Sequence, residues 1–76
     1  MNTALPKPVL TPRERDLVRC IIAGKTNREI AHALALGEQG VKNVLSTIYL
    51  KCQVRNRVEL ALFAVRNDLV ADRGAA

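Results

Sequence analysis

An all-α fold of four helices is predicted by three features of the 76-residue sequence. Thr11-Pro12-Arg13-Glu14 and Thr26-Asn27-Arg28-Glu29 each place a threonine three residues ahead of a glutamate. In that pattern, side chain and backbone cap one another reciprocally at a helix start. Apolar residues recur at spacings of three and four after each start and again in two later segments. No stretch alternates apolar and polar residues over the length of a strand.

Taken in order, residues 1–9 read as a flexible arm, because Pro6 and Pro8 lack backbone donors and hold their predecessors extended. Helix one follows, with Thr11 as cap, Pro12 in the first helical position and Leu10 placed to staple the entry. Its apolar residues are Leu17, Val18, Cys20, Ile21 and Ile22, and Gly24 is the expected left-handed stop. Helix two opens at Thr26, lasts about two turns and turns Ile30, Ala31 and Leu34 inward. Ala35-Leu36-Gly37 makes a tight connection to helix three, predicted over 38–50 from Val41, Val44, Leu45, Ile48 and Tyr49. The pattern breaks over 52–56 and restarts as helix four over 57–70. Residues 71–76 read as a frayed tail, which leaves one domain over 10–70.

Charge and composition narrow the partners. Twelve Lys and Arg against seven Asp and Glu give a net charge of +5, and the pI of about 9.9 fits an anionic partner. Tyr49 and Phe63 stand alone as aromatics, so a base-stacking platform for single strands has little to be built from, and duplex DNA is favoured. Cys20 and Cys52 form neither a disulfide framework nor a zinc spacing and read as small buried hydrophobes of a reducing cytoplasm. No leader and no membrane-spanning run is visible, and no metal or cofactor is expected. No catalytic pair, triad or phosphate loop emerges, so an enzyme is not expected, and His32 reads as a surface residue of helix two.

The unit that carries function is helix two, the short turn and helix three. A DNA-reading pair must pack closely while its second helix projects into the major groove. Small Ala31 permits close approach; Ile30, Leu34, Leu36, Val41 and Val44 supply the seam. Gln39, Lys42, Asn43, Ser46 and Thr47 are left outward. Lys suits guanine O6 or N7, Asn can pair in two-pronged fashion with adenine, and Ser is an adaptable partner.

Leu10-Thr11-Pro12-Arg13-Glu14, Gly24-Lys25-Thr26-Asn27-Arg28-Glu29-Ile30-Ala31, Val41-Lys42-Asn43, Ile48, Lys51, Val54 and Asn56-Arg57 stand in the order of a known family. Over about residues 10–70 the chain resembles the LuxR-type helix-turn-helix DNA-binding domain. The resemblance implies a four-helix domain whose third helix enters the major groove and whose fourth pairs two subunits. Carried over by position, it makes Lys42, Asn43 and Ser46 base readers. Thr26, Asn27 and Lys51 become backbone contacts, and Arg28, Gln39 and Thr47 join them. With no room for a sensor beside it, a single-domain regulator controlled by abundance is expected.

The departures from that family are specific. Gly40 stands where Thr is usual, Val44 where a polar residue is usual, and Cys52-Gln53 replaces a common Leu-Gly pair. Helix three has only Gly37 as cap. These differences motivate an alternative: an interaction protein whose degenerate helix-turn-helix binds and modulates another regulator. Helix four fits either reading. Leu60, Phe63, Ala64 and Asn67 can face the core, whereas Val58, Ala61, Leu62, Val65 and Leu69 fall elsewhere on the helix. A homodimer interface through Val58, Ala61, Leu62 and Val65 is expected. Arg57 at the start of helix four either contacts phosphate or ties the helix to Glu14 of helix one, and the structural role is the one expected.

Overall fold

The computed structural model describes residues 8–70. Four helices follow one another: α1 (Pro12–Ile22), α2 (Asn27–Leu34), α3 (Glu38–Cys52) and α4 (Arg57–Asn67). The described residues contain no strand. The expected tail and all of the expected arm before Pro8 lie outside the described residues.

Both capping boxes form. Thr11 Oγ1 accepts from the Glu14 amide at 3.1 Å while Glu14 Oε1 accepts from the Thr11 amide at 2.8 Å. Thr26 and Glu29 repeat the arrangement at the same distances. Each box satisfies two of the amides that a helix start leaves without partners. Gly24 ends the first helical segment at φ 82°, a value that glycine adopts without the Cβ clash of other residues.

Helix α3 runs two residues past the expected Leu50. Val41, Leu45, Ile48 and Cys52 form one continuous buried stripe, so burial of Cys52 draws the last turn into the helix. Gln53 then stops it at φ 57°, and the Val54 amide closes the turn on the Tyr49 carbonyl at 3.1 Å. Gln53 therefore adopts a left-handed geometry of the kind that glycine takes at least cost.

Helix α4 is three residues shorter than the expected 57–70. Asn56 caps its start by accepting from the Glu59 amide at 2.9 Å. Asp68 turns left-handed at φ 57°, and the Leu69 amide folds back to the Ala64 carbonyl at 3.0 Å. Leu69 and Val70 consequently pack against the core from a turn rather than from the helix.

Leu17, Val18, Ile30, Val41, Ile48 and Leu60 are fully enclosed and form the centre. Helix α1 touches the other three helices, and α2 packs on α3. The seam residues Ile30, Ala31 and Val41 are buried, with Leu34 and Leu36 half-buried beside them. Cys52 is buried, Cys20 is half-buried, and both thiols are free. His32 is exposed, as expected. Among the described residues, no helix is long and apolar enough to cross a membrane.

Candidate nucleic-acid interface

Burial of the Val41, Leu45, Ile48 and Cys52 stripe fixes the rotation of α3 and turns the other side outward. Gln39, Lys42, Asn43, Ser46 and Thr47 are all exposed on it. Gln39 Nε2 donates to Asn43 Oδ1 at 3.1 Å, and the Thr47 hydroxyl donates to the Asn43 carbonyl at 3.3 Å. The Asn43 side chain is thereby held by Gln39, with its amide nitrogen unused among the described residues. Lys42 and Ser46 engage no other described side chain. This first stretch of α3 lacks a side-chain cap at Gly37.

The Lys51 ammonium donates to Glu14 Oε1 at 2.8 Å and to the Val9 carbonyl at 3.3 Å. An ammonium has three donors, so one is left for an anion. Glu14 is buried at 7% exposure. Burial pushes its carboxyl pKa up, but the bonds from Lys51 and Thr11 and the ammonium charge outweigh that effect and hold it below the ordinary value. Burial pushes the neighbouring Cys52 thiol up, and the Glu14 carboxylate adds to the effect.

Arg57 does not reach Glu14. Its Nη1 donates to Asn27 Oδ1 at 2.7 Å and its Nη2 to the Lys25 carbonyl at 2.6 Å, so it ties the start of α4 to the start of α2. Lys51 occupies Glu14 instead. Asn27 is half-buried, with its Oδ1 engaged by Arg57, and Thr26 and Arg28 are exposed beside it.

An open groove of about 250 Å³ runs between α1 and α3, lined by Thr11, Arg13, Glu14, Asn43, Val44 and Thr47. Val44 therefore borders the first turn of α1, where an apolar side chain is shielded. Arg13 was not among the residues expected at the interface; its signal in sequence is only that an arginine stands in the exposed first turn of helix one. On the far side, Val58, Leu62 and Val65 of α4 are 65%, 50% and 63% exposed and Ala61 is half-buried next to them. They recur at helical spacing and make one unpartnered apolar stripe among the described residues. Leu69, expected with them, packs on the core instead. No group of His, Cys, Asp and Glu among the described residues could hold a metal.

Comparison with known proteins adds the family. The profile of the bacterial regulatory proteins of the luxR family matches residues 8–64. The chain belongs to this family. Its four helices, with no strand among the described residues, are those of a LuxR-type helix-turn-helix domain. Among LuxR-family relatives, the uncharacterized transcriptional regulatory protein YhcZ of Bacillus subtilis is 45% identical over 60 residues, covering 79% of this chain and 28% of that protein. The transcriptional regulatory protein LiaR of the same organism is 40% identical over 69 residues, 91% of this chain and 33% of LiaR. The spore germination protein GerE of Bacillus subtilis is 35% identical over 60 residues, 79% of this chain and 81% of GerE. The chain thus matches about a third of the length of the first two and most of the third.

Proposed function

We propose that this chain is a sequence-specific transcription regulator of bacterial duplex DNA, acting in the cytoplasm, that reads the major groove with α3 and pairs with a second copy through α4. The observation that carries this reading is the exposed edge of Lys42, Asn43 and Ser46 on a helix whose opposite stripe is locked into the core. A helix is about 10–12 Å across and the major groove about 12 Å wide, so the exposed half of α3 fits with its side chains at the base edges.

Lys42 donates to guanine O6 or N7. The free amide nitrogen of Asn43 donates to a purine N7, and the Ser46 hydroxyl takes either role. Thr26, the Asn27 amide and Arg28 at the start of α2 meet one strand, and Gln39, Thr47 and the third Lys51 donor complete the backbone contacts. Pairing through Val58, Ala61, Leu62 and Val65 covers the apolar stripe and sets two reading helices on a two-fold axis, which demands a two-fold site on the DNA.

The same exposed stripe also suits a different regulator as partner, with α3 left without a reading role. Selection of bound duplexes from a random-sequence pool by the purified protein separates the two. Enrichment of an inverted repeat supports the regulator; retention of no preferred sequence, together with a stable complex between α4 and another regulator, replaces it.

A further inference from the structure

We propose that Arg13 grips a DNA phosphate on the strand opposite to the one met by the start of α2, so that α2 is bracketed by a backbone contact at each end. The proposal rests on the reading that α3 enters the major groove. Arg13 is exposed in the first turn of α1, and its Nη1 donates to the Leu34 carbonyl at 3.3 Å, which sets the guanidinium beside the last residue of α2. It also lines the groove that holds Asn43 and Thr47, so the same side chain stands alongside the reading edge of α3.

At the other end of α2 stand Thr26, Asn27 and Arg28. Eight helical residues span about 12 Å, which matches the roughly 12 Å between the strands that border the major groove. A guanidinium has five donors arranged to fork onto a phosphate, and among the described residues Arg13 uses one. No carboxylate among the described residues pairs with Arg13. The groove's own carboxylate, Glu14, is already neutralised by Lys51 at 2.8 Å, so Arg13 leaves the groove positive toward an incoming phosphate.

The test uses the duplex recovered from the random pool and compares wild type with Arg13→Gln, Arg13→Ala and Arg13→Lys. Glutamine carries no charge and ends two bonds short of the Arg13 Nη1, whereas lysine keeps the charge, so a drop in slope for Arg13→Gln that Arg13→Lys does not show, with melting temperatures alike, separates a phosphate contact from a structural role. Removing one phosphate contact lowers the slope of log affinity against log salt by about 0.9. Between 50 and 200 mM salt the variant therefore loses about 3.5-fold less affinity than wild type.

The expected result is that drop for Arg13→Gln and Arg13→Ala, little change for Arg13→Lys, and an unaltered order of preference among base variants. Duplexes with single neutral methylphosphonate linkages should locate the lost contact on the strand away from the α2 start. An unchanged slope for Arg13→Gln overturns the proposal, and so does weakening that only follows a lower melting temperature. Either result leaves the reading of α3 intact, provided that wild type still prefers its selected duplex; loss of that preference overturns both.

Discussion

Replacing Glu14 with glutamine tests the tie that joins α1, α3 and the residues before α1. Glutamine keeps the length of the side chain and an oxygen to accept the Thr11 amide, so the capping box survives in part. The carboxylate charge, and with it the charge-to-charge bond with Lys51, is lost. Such bonds contribute about 1.5–3 kcal/mol, and because the Lys51 side chain is 34% exposed the lower part of that range applies, about 1.5–2 kcal/mol. For a domain of this size each kcal/mol moves the melting temperature by about 4–8 °C, so Glu14→Gln should melt about 6–16 °C below wild type at neutral pH.

The pH dependence has a definite sign. The folded-state pKa of Glu14 lies below its unfolded value, so its stabilisation is fully present above the unfolded value and is lost as pH falls through the folded one. The two melting curves should converge in acid. Circular dichroism melts from neutral to acid pH measure both effects. A neutral-pH difference under about 2 °C, or one that persists undiminished in acid, would refute the assignment of that stability to the Glu14 charge.

Further outcomes follow from the same contacts. Gln53→Gly should raise stability by about 0.5–1 kcal/mol, because Gln53 carries a Cβ at φ 57° where glycine has no clash. Gly40→Ala should gain a similar amount, about 0.5–1 kcal/mol, since a Cβ there meets only the Leu36 side chain at an ordinary 3.6 Å; thermal melts check both. Leu62→Asp places a charge on the half-exposed centre of the α4 stripe. It should leave the fold intact yet shift sedimentation toward the monomer and weaken DNA binding, and an unchanged sedimentation profile would remove α4 as the pairing surface.

Helix starts were legible in the sequence because a capping box is a local device: Thr11 with Glu14, and Thr26 with Glu29, need no tertiary partner to be recognised. The ends of α3 and α4 were not. Cys52 joins α3 because the core buries it, and Asp68 ends α4 because Leu69 and Val70 turn back onto that core. Both outcomes depend on neighbours far away in sequence. The same holds for the long side chains. Arg57 and Lys51 are each cations beside a helix start or end, and nothing in their spacing reveals that Glu14 is capped, buried and within reach of Lys51 alone. The outward edge of α3 was legible, since helical spacing of Val41, Leu45 and Ile48 already fixes which residues face away. The groove that adds Arg13 to that edge exists only once α1 is packed against α3.

The central claim is that the exposed edge of α3 reads DNA sequence, and affinity for the selected duplex against a scrambled duplex of equal length tests it most directly. The Lys42→Ala, Asn43→Ala double variant should keep its fold and its general affinity for DNA while its preference for the selected duplex collapses, because the base-edge contacts that discriminate between sequences are removed. A folded double variant that prefers the selected duplex as strongly as wild type would contradict the account.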